Sequence, residues 1–146
     1  MNLLQNVKVD QILGYYAAGT TKRTSDIIDM AGYDGVMFIF GLGTLLETGT
    51  LDCFVEQNPT NATSGMARLA TTTVHTATAA DALLAKSAIA VDVYQPQERY
   101  LQANITPAVA NAVILGITAI RYTGKVKPDA NSGLLKSTQL ISPAEA

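Results

Sequence analysis

Apolar and polar residues alternate along much of the chain, in short runs that end at glycine, proline or asparagine. The clearest run is Thr50–Gln57, where Leu51, Cys53 and Val55 fall on one side and Phe54 falls on the other, between two acidic residues. Successive side chains of a β-strand point to opposite faces, so a period of two predicts a strand with one buried face. We therefore predict that β-strands dominate the fold.

The same reasoning places further strands and the breaks between them. Strands are predicted at Ile27–Met30, Gly35–Phe40, Ala88–Tyr94, Tyr100–Ile105 and Ala112–Tyr122, with a thin edge strand at Thr72–His75 and a loop or short helix at Ala79–Ala85. Gly41 and Gly43 are expected to end the strand before them, and Pro107 to lie outside any central strand because proline has no N–H to donate. About eight short strands without recurrent amphipathic helices predict an all-β, antiparallel sandwich or barrel.

The chain of 146 residues fits a single domain. We divide it into an N-terminal arm over residues 1–13, a β-sandwich core over 14–122 and a C-terminal tail over 123–146, where the composition becomes polar. Isolated apolar residues in such ends are expected to contact other proteins. In the arm and the tail these candidates are Leu3, Leu4, Val7, Leu134, Leu135, Leu140 and Ile141.

Charge and hydropathy narrow the classes of partner. Only 15% of the residues are charged, against about 25% in an average domain. A surface rich in Thr, Ser, Asn, Gln and Ala suits repeated contact with other proteins. The formal net charge is −2 and the basic residues are scattered, which argues against nucleic acid as the main partner. No apolar run reaches the ~20 residues of a membrane helix, and the N-terminus lacks a signal-peptide pattern.

Few residues could carry chemistry. His75 is the single histidine and Cys53 the single cysteine, whereas a zinc site needs three or four such ligands. Cys53 lies on the apolar side of its strand and is predicted to be a buried thiol, and His75 is predicted on a solvated edge or loop. The chain has no Trp to stack on a sugar ring. We predict no cofactor, no metal and no enzymatic activity.

The segment from Tyr94 to Tyr100 is the most distinctive local feature. Pro96 fixes a tight connection between two core strands, and Arg99 can pair with a neighbouring acid. Tyrosines can bury their rings and keep their hydroxyls in water. The segment is therefore either a strand-connecting corner or an exposed contact for a partner, with Tyr94, Arg99 and Tyr100 as the candidate contact residues.

Several runs resemble small proteins of tailed-bacteriophage structural gene clusters. The matching runs are Ser25–Phe38, Val91–Leu101, Asn111–Ile114 and Ser142–Glu145, within a likeness that covers about residues 25–145. These proteins look like capsid cement (decoration) proteins. The resemblance implies a jelly-roll sandwich that sits on the outer surface of the virion shell at junctions between capsomers, after synthesis in the host bacterial cytoplasm.

The implied partners are the major capsid protein and further copies of the chain, as a dimer or trimer, without nucleic acid or membrane. Two other structural roles remain open, a head–tail connector and a baseplate component. A carbohydrate-binding sandwich is the alternative from a different class. An outer-shell clamp needs a rigid core and adhesive surfaces, and many modest contacts add up through multivalency.

Overall fold

The protein forms two β-sheets with one short helix. The structure, a computed structural model, describes residues 2–69, 73–124 and 133–136. The strands are β1 (Val7–Leu13), β2 (Tyr16–Gly19), β3 (Arg23–Asp29), β4 (Gly35–Leu45), β5 (Thr50–Asn58), β6 (Ala67–Arg68), β7 (Thr73–Thr76), β8 (Ser87–Tyr94), β9 (Tyr100–Ala108) and β10 (Ala112–Tyr122). A 3-10 helix at Leu3–Gln5 precedes β1, and helix α1 (Ala79–Leu84) precedes β8.

The two sheets pack face to face and are antiparallel throughout the described pairings. Sheet A has the order β1-β10-β4-β8, with β2 also paired to β10. Sheet B has the order β3-β9-β5-β6, with β7 also paired to β5. The predicted all-β, antiparallel β-sandwich is confirmed. The pairs are nested along the chain, because β1 pairs with β10, β3 with β9, β4 with β8 and β5 with β7.

The core lies between the sheets and is aliphatic and aromatic. Its largest fully buried side chains include Phe38, Phe40, Leu42, Leu51, Leu101, Ile105 and Ile117. The predicted inward face of β5 is confirmed, since Leu51, Cys53 and Val55 are all buried. Phe54 is buried as well, although it belongs to the outer face. Lys22 and Arg68 lie over its ring, with the Arg68 guanidinium 4.0 Å from the ring centre.

The strands lie near their predicted places in the chain, but several of them are longer than predicted. β10 has the predicted bounds, and β5, β8 and β9 each extend beyond theirs. The structure differs at Gly41 and Gly43, where β4 continues to Leu45 instead of ending. Gly43 is needed inside the strand because it leaves room for a side chain of the neighbouring strand. A Cβ at this position would lie 2.9 Å from Cγ1 of Val113 on β10.

Pro107 also lies inside a strand, contrary to the expectation. It belongs to β9, which is flanked by β3 and β5. The Ala103 N–H points towards β3, where it donates to Ser25 Oγ at 3.0 Å. Residues 103, 105 and 107 direct their backbone groups to the same side of β9. By the strand period Pro107 has its ring nitrogen on that same side. The pairing with β3 has ended there, since its last pair is Arg23 with Ile105, so no ladder hydrogen bond is lost.

The predicted N-terminal arm needs correction. Residues 7–13 form β1, which pairs with β10 from Val7 opposite Tyr122 to Leu13 opposite Ile117. Ile12 and Leu13 belong to the hydrophobic core. The predicted tail lies mostly outside the described residues. None of the helices in the described segments is long and apolar enough to span a membrane.

Candidate functional site

The two ends of the sandwich differ in character. At one end lie the β3–β4 turn, the β8–β9 corner and the last residues of β10, and we call it the ion-paired end. At the other lie the β4–β5 loop, α1 and the β9–β10 loop, and we call it the apolar end. The strand registers fix this arrangement, because Gly35 is opposite both Tyr94 and Tyr122, whereas Leu45 is opposite Ala112.

The β8–β9 corner is locked to the end of β3. Arg99 donates from Nε and Nη2 to the two carboxylate oxygens of Asp29, both at 2.8 Å. The Met30 N–H donates to the Arg99 carbonyl at 2.9 Å, and the Gln95 N–H donates to the Asp34 carbonyl at 2.7 Å. A cleft of about 400 Å³ separates the corner from the β3–β4 turn. The corner is thus a fixed connection, and the charge of Arg99 is used within the chain.

Arg121 ties three strands together beneath this corner. Its Nη2 donates to the Asp10 carboxylate on β1, and its Nη1 donates to the Asp29 carbonyl on β3 at 2.5 Å. Its guanidinium also lies 5.0 Å from the ring centre of Tyr33. The charges at this end therefore cross-link the two sheets, and they connect the edge strands β1 and β3 on one side of the sandwich.

The ion pair of Asp29 predicts a pH dependence. The pKa of Asp29 lies below its ordinary value, chiefly because Arg99 donates two hydrogen bonds to the charged form, with the Ala31 N–H adding a third. The pair stabilises the fold above the pKa of the unfolded carboxyl, about 3.9, and that contribution is lost as the pH falls through the lowered folded pKa. The urea midpoint of wild type should therefore exceed that of Asp29→Asn at pH 7, and the difference between the two midpoints should shrink in strong acid.

Arg99→Gln is the matched variant for this prediction, because it removes the same pair from the other side. The difference between its urea midpoint and that of wild type should shrink in strong acid in the same way. A difference that is constant with pH for both variants would mean that the ion pair contributes nothing through the charge of Asp29.

The apolar end exposes four large apolar side chains. Leu83 is 85% exposed and Val109 is 78% exposed, and Leu46 and Leu84 are about half exposed. They come from three separate connections between strands. Soluble proteins keep contiguous apolar patches small unless a partner covers them. This end is therefore the stronger candidate for a protein contact.

The backbone under these side chains is held by hydrogen bonds. The Thr48 N–H donates to the Ala77 carbonyl at 2.9 Å, and the Ala77 N–H donates to the Gly49 carbonyl at 2.8 Å. Helix α1 starts with a capping box, in which the Asp81 N–H donates to Thr78 Oγ1 and the Thr78 N–H donates to the Asp81 carboxylate. A fixed backbone lowers the entropy lost when a partner binds.

Val109 carries backbone strain. Its φ is +68°, a value that β-branched residues adopt rarely. The position would suit Asn or Gly better, since their backbones tolerate the left-handed region. An exposed valine at such a position gains nothing from burial within the chain, which is consistent with a role in contacting something outside it.

One cavity holds the side chains of a serine, a histidine and an aspartate. Ser87, His75 and Asp81 line a space of about 190 Å³ beside Leu42 and Leu45. His75 Nε2 lies 3.0 Å from Asp81 Oδ2, but Ser87 Oγ has no hydrogen-bond partner among the residues that the structure describes. A catalytic triad needs the serine hydroxyl bonded to the histidine, so the nucleophile is not activated in this arrangement. Asp81 caps α1, and His75 joins that helix to β7.

The other reactive groups have structural surroundings. Cys53 is buried as predicted, and burial, followed by the charge of Asp52, raises the pKa of its thiol to about 12. Within the described segments no group of three or more His, Cys, Asp or Glu residues could hold a metal ion. His75 is partly exposed at the edge of sheet B, on the short strand β7.

The contact residues predicted from the sequence do not form one surface. Val7 is buried in β1, Leu3 and Tyr94 are exposed, Leu4 and Tyr100 are half buried, and Arg99 is exposed but paired with Asp29. Leu134 and Leu135 are exposed, and Leu140 and Ile141 lie outside the described residues. The sequence analysis missed Leu46, Leu83, Leu84 and Val109. The adjacent pair Leu83–Leu84 was a usable signal, because a helix of six residues has little surface on which to bury both.

Comparisons with known proteins give no family. No protein-family model matches the sequence, and no curated protein matches it.

Proposed function

We propose that the chain is a virion structural protein, a capsid cement (decoration) protein that binds the outer surface of the major capsid protein shell and bridges capsomers. The observation that carries the proposal is the apolar end, where Leu46, Leu83, Leu84 and Val109 project from a hydrogen-bonded scaffold. A rigid body with one adhesive end is the shape that a clamp on a shell requires.

The strand order supports the finer expectation of a jelly roll. In that fold two sheets share nested antiparallel pairs, as if one long hairpin were rolled up. The pairs of β1 with β10, β3 with β9, β4 with β8 and β5 with β7 fit this description. Jelly-roll domains occur in viral capsids, which agrees with the resemblance of the sequence to cement proteins.

Small contacts suffice for such a protein. A specific interface buries about 1,200–2,000 Å², and the loops of one end of a sandwich can supply a modest share of it. Copies that touch two capsomers gain from effective concentration, so a weak single contact still gives high occupancy. The few charges in the chain, 15% of its residues, also limit repulsion between neighbouring copies.

Val109→Asn separates binding from folding. Asn accepts a positive φ better than valine and removes the apolar contact, so the variant should unfold at the same or a higher temperature and yet occupy fewer sites on the shell. The measurement is occupancy on particles of the source phage that lack this protein, by gel densitometry of pelleted shells after addition of purified chain.

Tyr94→Asn is the matched control, because it removes an exposed large side chain from the opposite end of the sandwich. It should leave occupancy unchanged. Equal occupancy for Val109→Asn and wild type would reject the apolar end as the contact, and loss with Tyr94→Asn alone would move the contact to the corner. Wild-type chain that fails to bind shells would reject the cement function itself.

A further inference from the structure

Strand β8 is an open edge of sheet A. It pairs with β4 on one side, from Ser87 opposite Leu42 to Tyr94 opposite Gly35, and no described strand pairs with its other side. The Gln95 N–H points to the Asp34 carbonyl on the β4 side, and a trans peptide directs its C=O and N–H in opposite directions. The carbonyl of Tyr94 therefore points outward. By the strand period, Ala88, Ala90 and Asp92 direct their N–H and C=O groups outward with it.

The other edges of the described sheets carry devices that discourage pairing, and β8 does not. β1 and β3 both contain charged residues and a shift of register, β2 and β7 span only four residues each, and β6 spans two. β8 runs for eight residues, as Ser-Ala-Ile-Ala-Val-Asp-Val-Tyr, with one charge and without Pro or Gly. A long, flat, mostly apolar edge is a template for pairing with another chain.

The inner face of β8 is incompletely covered. Ile89, Val91 and Val93 pack against the core but are only partly buried, and they alternate with the exposed Ala88, Ala90 and Asp92. A strand added beside the first half of β8 would extend sheet A and cover the open flank of Ile89 and Val91. Strand addition of this kind takes its affinity from main-chain hydrogen bonds and the covered side chains.

The charges at the two ends of β8 make it complementary to itself. Lys86 stands immediately before the strand, and Asp92 lies near its end. The positions differ by an even number and both residues are exposed, as expected for two residues on the outer face. The Tyr122 hydroxyl donates to Asp92 Oδ1 at 2.7 Å and holds that carboxylate on the outer face. A two-fold antiparallel pairing centred on Ile89 sets Lys86 of each copy opposite Asp92 of the other.

We propose that two copies of this chain associate through β8, antiparallel about a two-fold axis, with sheet A continuous across both. This inference concerns self-association and holds independently of what the apolar end binds. An isologous contact closes at two copies, so the assembly is a dimer. The antiparallel pairing points the apolar ends of the two copies in opposite directions, so a dimer presents one of them to any single surface.

Ala90→Pro tests the pairing. The N–H of Ala90 points outward, so proline removes a hydrogen bond between copies and none within one, and edge strands tolerate proline in this orientation. Sedimentation velocity of the full chain should show a monomer–dimer equilibrium for wild type. The variant should have a dissociation constant at least about tenfold higher and an unchanged β-rich circular dichroism spectrum. A wild-type monomer or trimer at all concentrations, or an undiminished dimer in the variant, would overturn the proposal.

A charge exchange tests the register without relying on proline. Lys86→Asp and Asp92→Lys should each weaken the dimer, because each sets like charges opposite one another. The double variant Lys86→Asp/Asp92→Lys should recover the dimer, and so should a mixture of the two single variants. If the mixture dimerises no better than either single variant, the register with Lys86 opposite Asp92 is wrong.

Discussion

Asp10→Ala is expected to lower the free energy of unfolding by about 3–5 kcal/mol, because it leaves a buried arginine without its counter-ion. Asp10 is 3% exposed and Arg121 is 7% exposed, and the two are hydrogen-bonded between β1 and β10. A charge in that position has little water to replace the lost carboxylate. Domains of this kind are stable by only about 5–15 kcal/mol, so urea unfolding followed by circular dichroism should detect the loss easily.

Two further variants test whether the loss comes from the stranded charge. Asp10→Ala/Arg121→Met removes both charges and should be less destabilised than Asp10→Ala alone. Asp52→Ala breaks the exposed pair with Arg68, whose N–O distance is 2.6 Å, and should cost less than about 1 kcal/mol. A loss for Asp10→Ala no larger than that for Asp52→Ala would show that the buried pair does not hold β1 to the sandwich.

Gly116→Ala is the second large effect, with an expected loss of about 2–4 kcal/mol. Gly116 lies in the central strand β10 and has a φ of +143°, a backbone conformation that residues other than glycine rarely adopt. A Cβ there would lie 2.6 Å from the carbonyl oxygen of Leu13 on β1, which is backbone and cannot rotate away. The substitution therefore combines conformational strain with a displacement of β1.

Gly41→Ala is the matched control, because Gly41 is the cross-strand partner of Gly116 on β4. A Cβ at Gly41 would make an ordinary contact, 3.4 Å from Cβ of Leu115. The backbone of Gly41 does not have a positive φ. We expect a change within about 1 kcal/mol of wild type by thermal unfolding. Equal losses at the two glycines would mean that loss of strand flexibility, and not the local geometry at Gly116, decides the cost.

The alternation of apolar residues predicted most of the sheet, and its failures have physical causes. β5 was found because its inward face meets the core in a period of two, with Leu51, Cys53 and Val55 buried. β10 was found although its buried positions change from even to odd numbers at Gly116–Ile117. β1 was taken for an arm because the register shifts between Gln11 and Leu13, so Ile12 and Leu13 are both buried and the period is interrupted. Pro107 misled the analysis because its effect depends on where the neighbouring strand ends.

The candidate contact surface was harder to predict than the fold. The apolar end combines Leu46, Leu83 and Val109, which are far apart in the chain and share one end of the sandwich only because three connections lie there. Arg99 was a reasonable contact candidate by its chemistry. Its partner Asp29 is 70 positions away, and no local pattern shows that the two are paired.

Cryo-electron microscopy of the purified source virion tests the proposed function most directly. The account predicts density for many copies of this sandwich on the outer surface of the shell, with Leu83 and Val109 facing the major capsid protein. Density confined to the head–tail junction or the baseplate, or shell-bound copies with the ion-paired end facing the capsid, would contradict it.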